Sequence, residues 1–201
     1  MGGGVAGEVA SRLAVERISE ALARRTGSLS ERIRTGVAAA NRAIREHSVA
    51  KLDGAESGST MVLALVSGGR VTVAHIGDSR AYRFRQGRLE QLTADHTFVA
   101  EQVRAGLIPP ERVATHPLRS RLTKALGVAE TVEAAIADHE LRADDVLLLC
   151  SDGLHGMAGD DEISAAIGGG IHTLVALANA NGGRDNVTVA LLRAPGGQFA
   201  A

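Results

Sequence analysis

The chain has one cysteine, no tryptophan, one tyrosine and three phenylalanines in 201 residues. A single cysteine excludes internal disulfides and fits a reducing compartment. With aromatics at 2% and hydrophobic residues at 45%, the core has to be built from Val, Leu, Ile and Ala. The net charge is −1, so the balance does not point to a nucleic-acid or membrane-surface partner. No window holds the roughly 18 consecutive apolar residues of a membrane span. The opening Met1-Gly2-Gly3-Gly4 lacks the basic and apolar regions of a signal peptide. Together these absences lead to the expectation of a cytoplasmic protein of one ordinary-sized domain, residues 1–194, with a disordered tail at 195–201.

What is present is organised around Asp144-Asp145-Val146-Leu147-Leu148-Leu149-Cys150-Ser151-Asp152-Gly153. An apolar run rises from two acids and stops on Ser-Asp-Gly, which reads as a buried strand presenting a carboxylate on a tight turn. A second stretch, Gly182-Gly183-Arg184-Asp185-Asn186-Val187-Thr188-Val189, places its carboxylate just before a strand instead. If the two strands are antiparallel neighbours, Asp152 and Asp185 meet at one sheet edge. Hard oxygen ligands on rigid elements suit Mg²⁺ or Mn²⁺. Taken singly, each of these segments is more often an ordinary turn than a ligand site.

The rest of the chain supplies the frame. Residues 5–25 read as a helix with Val9, Leu13, Ile18 and Leu22 on one stripe, and Gly27 as its stop. A second helix over about 30–50, capped by Ser28 or Ser30, buries Ile33, Val37, Ala40 and Ile44. Strands follow over Thr60–Val66, Arg70–Ile76, Ala81–Arg85 and Arg88–Leu92, joined by Ser67-Gly68-Gly69 and Gln86-Gly87. This meander favours antiparallel sheet. Residues 93–127 hold three of the four prolines and only a short helix, about 97–105. Further strands are expected over Thr131–Ile136 and Asn186–Arg193, with helices over Asp160–Ile167 and His172–Ala180.

Asp78, in Gly77-Asp78-Ser79, is a third carboxylate at a strand edge. None of the three acids has a histidine at zinc-like spacing, so the set is all oxygen and suits phosphoryl chemistry with Mg²⁺ or Mn²⁺. Other chemistries fit less well. A cysteine phosphatase needs Arg six residues after Cys150, where Gly156 stands, so Cys150 reads as a small core residue. Ser151 is not in Gly-X-Ser-X-Gly, and neither glycine run continues into a phosphate-binding Lys-Ser/Thr. His75 reads as a core or edge residue, while His96, His116 and His155 are loop candidates for proton transfer.

Six motifs then occur in order: Gly58-Ser59-Thr60, Ile76-Gly77-Asp78-Ser79-Arg80-Ala81-Tyr82, Leu92-Thr93-Ala94-Asp95-His96, Leu122-Thr123-Lys124-Ala125-Leu126-Gly127, Ser151-Asp152-Gly153-Leu154 and Gly183-Arg184-Asp185-Asn186-Val187-Thr188. In this the chain resembles a bacterial metal-dependent protein serine/threonine phosphatase of the PP2C (PPM) family. The resemblance implies an α+β fold, an α-β-β-α sandwich of two antiparallel sheets flanked by helix pairs. It implies hydrolysis of phosphoserine and phosphothreonine by a water bridging two Mn²⁺ or Mg²⁺ ions, with a third, weaker ion in bacterial members. Asp152 and Asp185 would be ligands of the binuclear centre, and Asp78 with Asp152 would hold the third ion. Residues 93–121 would be the flap beside the site, and Arg80 would tie its turn together.

The resemblance also implies a departure. Family members carry Asp-Gly ahead of the Met-Gly-Gly with which this chain opens. The expectation is therefore an N-terminally incomplete domain with weak or absent activity, whether from a misplaced start or a truncated gene. Phosphorylated proteins, a Ser/Thr kinase or its substrates, would be the partners, with no nucleic acid or membrane involved. A non-catalytic module that binds a phosphoprotein or kinase is the alternative, and a relative acting on an anti-sigma-factor antagonist is a third.

Overall fold

The computed structural model describes residues 5–51 and 57–194, and the expected tail at 195–201 lies outside them. The chain forms two compact units, one of residues up to 61 with 95–136, the other of 62–94 with 137 onward.

In the first unit, helices α1 (Val5–Ala23) and α2 (Leu29–Lys51) form an antiparallel hairpin. Its turn is closed from both sides. Ser28 N–H donates to the Glu31 carboxylate at 2.7 Å, and Glu31 N–H donates back to Ser28 Oγ at 3.2 Å, which selects Ser28 over Ser30 as the cap. Arg32 then reaches back across the turn, donating to the carbonyls of Leu22 and Arg24 at 2.9 and 2.8 Å. These are carbonyls at the end of α1 that no longer have a helical partner.

The expected stripe of α2 is buried as read, with Ile33, Val37, Ala40 and Ile44 all inside. The stripe of α1 is different. Its deepest residues are Ala10, Ala14, Ile18 and Ala21, while Val9, Leu13 and Leu22 are half-buried. The reason is close approach. A Cβ on Gly36 would stand 3.0 Å from Ile18 Cα and 3.1 Å from Ala21 Cβ, so the backbones approach closely there and the line beside Ile18 is filled by alanines. In the same unit Asn41, 3% exposed, donates to the carbonyls of Ala129 and Glu130 and accepts from Gly127 N–H at 2.7 Å. Residues 93–127 contribute α3 (Phe98–Arg104), capped by Thr97 Oγ1, and a 3-10 turn at Pro110–Arg112.

In the second unit, β1 (Met61–Ser67), β2 (Arg70–Ile76) and β5 (Ala135–Glu140) form one sheet in the order β1-β2-β5. The other sheet, in the order β4-β3-β6-β7, is made of β3 (Arg80–Arg85), β4 (Arg88–Gln91), β6 (Val146–Cys150) and β7 (Val189–Arg193). Both tight hairpins have two residues at positive φ, Gly68-Gly69 and Gln86-Gly87, as two-residue turns between twisted strands require. Strand β5 starts four residues later than Thr131. Leu141 N–H donates to Gly69 O at 2.9 Å and Thr72 donates to Asp138 at 2.6 Å, which sets the register. Residues 131–134 are instead carried past α2 by the Asn41 clamp at 129–130.

Strand β6 has both faces covered. Val146, Leu148 and Cys150 pack under Leu154, Ile163, Ile167 and Leu174 from α4 (Asp152–His155), α5 (Asp160–Ala166) with its 3-10 extension, and α6 (Gly170–Ala180). Leu147 and Leu149 pack with Val71 and Val73 of the other sheet. A strand covered on both faces reads as an unbroken apolar run. Cys150 is a buried free thiol, as its role in the core requires. Among the described residues, Asp160–Ala180 has the length and hydropathy of a membrane-crossing helix. It is built as three pieces, however, broken by Gly170 at φ 80°, with Ile163, Ile167, Leu174 and Ala178 buried against sheet.

One buried charge anchors the entry to β6. Asp145, 1% exposed, takes a two-pronged bond from Arg85 Nε and Nη2, each 2.7 Å, and a third from Arg142 N–H at 2.8 Å. Burial pushes its carboxyl up, but Arg85 and the Arg142 amide outweigh this and hold it below the ordinary carboxylate range. A lowered folded-state pKa adds stability above the unfolded value, near 3.9, and that stability is lost as pH falls through the folded value. Arg85→Met should cost about 3–5 kcal/mol by stranding the carboxylate, measured by urea unfolding at pH 7, and should move acid unfolding to higher pH. Gly127→Ala should destabilise by about 1–3 kcal/mol, since at φ 88° its Cβ would meet Ile44 and stand 2.6 Å from Ser57 O. Thermal unfolding would register it.

Candidate metal centre

Strands β6 and β7 pair antiparallel, with Cys150 opposite Val189. One residue beyond, the pairing continues through Ser151. Its N–H donates to Thr188 O at 3.0 Å, its hydroxyl donates to Asn186 O at 3.2 Å, and it accepts from Thr188 N–H at 3.1 Å. A single hydroxyl thus stitches the end of β6 to the approach to β7. This explains why β7 begins at Val189 and not at Asn186: residues 186–188 bond to the Ser151 turn. Gly153 follows inside the same seam. A Cβ there would collide with Asn186 O and stand 2.8 Å from Asn186 C.

Asp152 and Asp185 flank this seam, both exposed. Asp152 opens α4, and Asp185 Oδ1 accepts its own neighbour's amide, Asn186 N–H, at 2.7 Å. The third acid, Asp78, is half-buried in the bend after β2, where Gly77 stands at φ 95°. It joins the seam through the far end of α4. His155 Nε2 lies 2.9 Å from Asp78 O, and a carbonyl partner requires that nitrogen to donate. The four-residue helix α4 therefore carries Asp152 at one end and holds the Asp78 backbone at the other.

The remaining polar residues brace this arrangement. Arg80 Nη1 donates to the Tyr82 hydroxyl at 2.8 Å, which in turn lies 3.2 Å from Asp160 Oδ1 at the start of α5. Tyr82 is fully buried, and burial drives its phenol far above the ordinary value despite the opposing Arg80 charge. Arg80 thus ties its turn to the helical layer. His75 is buried with Nε2 at 2.9 Å from Ala94 O. His116 accepts from Leu118 N–H and lies against the Phe98 ring, so it braces residues 93–127. His96 is 6% exposed, with its carbonyl bonded to Thr123 N–H.

In chemistry, three carboxylates without Cys or His suit a hard divalent cation. In geometry, no three His, Cys, Asp or Glu side chains among the described residues converge to enclose one. The donors fit such an ion, but the set is open. Sequence reading singled out the acids and missed Ser151 and His155 as the residues that position them. The available signal was that Ser151 and Thr188 fall directly beyond the paired ends of two adjacent strands. Gly153→Ala should wedge the seam apart and weaken Mn²⁺ binding by about tenfold or more, the scale of a lost outer-shell support, while β6 and β7 stay paired. Calorimetric Mn²⁺ titration would measure it.

The family model for Protein phosphatase 2C matches residues 2–176. The serine/threonine protein phosphatase PstP of Mycobacterium tuberculosis is 40% identical over 195 residues, which covers 94% of this chain and 38% of that protein. The chain therefore spans well under half the length of this curated relative. The crystal structure of the M. tuberculosis serine/threonine phosphatase PstP/Ppp superposes with a TM-score of 0.88 at 39% identity, over 97% of this chain and 85% of that one. The catalytic domain of PstP in complex with two manganese ions matches with a TM-score of 0.81 at 37% identity, over 95% and 82%. In sequence and in the fold of two antiparallel sheets with flanking helices, this chain is a member of the protein phosphatase 2C family.

Proposed function

We propose that the chain removes phosphate from phosphoserine and phosphothreonine in other proteins, with Asp152, Asp185 and Asp78 holding Mn²⁺ or Mg²⁺. The observation that carries this reading is the Ser151 seam, which joins two carboxylate-bearing turns that lie 33 positions apart in the chain. Structural acids of the Asp145 kind are buried and ion-paired. Asp152 and Asp185 are exposed, and no salt bridge ties either of them to a described cation, as suits groups reserved for a ligand. When bound, divalent ions supply Lewis acidity and a water that is deprotonated near neutral pH. The chain's own residues present oxygen donors, fix their spacing through Ser151 and Gly153, and hold Asp78 through His155. Likeness to a phosphatase domain solved with two manganese ions supports the same assignment.

The family match, residues 2–176, takes in segments of both compact units, in keeping with one functional domain over residues 1–194. Phosphorylated proteins are the substrate class, and a Ser/Thr kinase or its targets supply them. A buried, reduced Cys150 is consistent with work in the cytoplasm. Because the three described acids do not close around an ion, the 201-residue chain by itself should bind Mn²⁺ loosely and turn over slowly.

The test is phosphate release from a phosphothreonine peptide, with and without Mn²⁺, beside calorimetric Mn²⁺ titration of the chain and of Asp152→Asn. The expected result is saturable Mn²⁺ binding that Asp152→Asn weakens well beyond about tenfold, with slow release only when Mn²⁺ is present. A folded chain that binds no Mn²⁺ overturns the reading. Phosphopeptide binding without turnover, indifferent to Asp152→Asn, would instead establish a non-catalytic binding module.

A further inference from the structure

Residues 112–129 contain no Asp or Glu, yet they hold Arg112, Arg119, Arg121 and Lys124, in a chain whose net charge is −1. All four cations are exposed. None has a salt bridge or a side-chain hydrogen bond to a described residue. The acids around them are few. Glu111 precedes Arg112, and Glu101 on α3 accepts the Thr123 hydroxyl at 2.5 Å. Counting both against the four cations still leaves an excess of two positive charges. Asp95 stands with a further cation, Arg104, which donates to its carbonyl at 3.2 Å. Glu130 lies elsewhere, in a groove with Arg42 and Arg45 of α2.

The segment is also held in place. Phe98 N–H donates to Arg121 O at 2.8 Å, Thr123 N–H donates to His96 O at 2.9 Å, and Thr97 bridges to Leu122 between these bonds. Arg119 N–H and Arg121 N–H close turns onto the carbonyls of His116 and Leu118, each at 3.1 Å. His116 itself rests on the Phe98 ring, with centroids 5.9 Å apart. Further on, Leu126 and Ser59 exchange both of their backbone bonds. The cationic side chains therefore leave a backbone that is already ordered, and a partner that meets them has less chain to fix.

We infer that residues 112–124 are a docking surface for an acidic stretch of the protein substrate, a run of Asp and Glu in the same chain as the phosphorylated Ser or Thr. The identity of the partner rests on the phosphatase reading above. Three of the four cations are arginine, whose planar guanidinium takes a carboxylate in a two-pronged geometry. Single-stranded nucleic acid calls for rings on which bases stack. The segment has no Phe, Tyr or Trp, and its histidine ring is engaged with Phe98. A membrane surface calls for an amphipathic helix, whereas this chain runs in turns after the three-residue Pro110–Arg112. A polypeptide also suits Leu118, which is 37% exposed beside Arg119. Each exposed ion pair contributes little alone, so selection comes from the four cations acting together and from faster encounter with acidic chains.

The probes are three rhodamine-labelled peptides: phosphothreonine followed by a run of glutamates, the same with lysines, and the glutamate peptide without phosphate. Binding to the whole chain is read by fluorescence anisotropy without Mn²⁺ and mapped by amide shifts in NMR. Phosphate release is then measured with Mn²⁺. The unphosphorylated glutamate peptide should bind saturably and move the amides of residues 112–124. It should lose about tenfold in affinity when Arg119→Ala, Arg121→Ala and Lys124→Ala are combined. Raising salt from about 50 to about 200 mM should weaken its binding to the unaltered chain severalfold, which keeps the test sound if the triple variant unfolds. Equal binding of the lysine peptide, shifts confined to other residues, indifference to both salt and variant, or no binding at all would each overturn the inference. Binding of the glutamate peptides without release from either phosphopeptide would count against dephosphorylation and leave the docking surface standing.

Discussion

Burying a strand on both faces leaves it no freedom of register, and β6 is under that constraint. Slipping by one residue would exchange Leu148, which packs under Leu154 and Leu174, with Leu147, which packs on Val71 and Val73. Both faces are apolar, so the alternation by itself would tolerate the slip. What forbids it is the pair of polar ends. At one end Asp145 is locked to Arg85 and Arg142. At the other, Ser151 is locked to Asn186 and Thr188. The position of Asp152 follows from these two clamps. The carboxylate proposed as a metal ligand thereby gains a fixed origin, two residues past the end of a strand clamped at both ends.

Most of the frame was legible because it depends on local chemistry. The helix of residues 29–51, both two-residue hairpins and the buried strand all follow from apolar period and turn residues. The candidate acids were legible for a related reason: an Asp beside Gly at the end of an apolar run has few other places to be. Misreadings arose where tertiary contact decides. The inner line of α1 is mostly alanine, and α2 brings Gly36 up against it at Ile18 and Ala21, residues 18 and 15 positions earlier in the chain. Strand β5 begins at Ala135 and not at Thr131, because the Asn41 clamp on the carbonyls of Ala129 and Glu130 carries the next residues past α2. The positioning roles of Ser151 and His155 were invisible because each depends on which strand ends become neighbours.

Two kinds of carboxylate differ here in burial and in what they can do. Asp145 and its arginine are a closed pair, and removing either partner strands a charge away from water. Asp152 and Asp185 stay in solvent, where an unpaired carboxylate costs little to maintain and can be claimed by an incoming cation. His155 illustrates a third use. Its ring could carry a proton, but its Nε2 is occupied by the Asp78 carbonyl, so it acts as a strut.

The two-helix turn and the carboxylate seam also differ in when they can exist. Everything that closes the turn between α1 and α2 lies within about ten residues: Ser28 with Glu31, and Arg32 with the carbonyls of Leu22 and Arg24. Such local contacts have little loop entropy to overcome and form early. The seam joins Ser151 to residues 186 and 188, and strand β7, which anchors it, ends at Arg193. On a ribosome the hairpin can be complete while the acids are still unjoined. The spacing of the candidate acids is therefore among the last things this chain acquires, and a nascent chain that stalls before residue 189 would carry the helical hairpin with the Ser151 seam unmade.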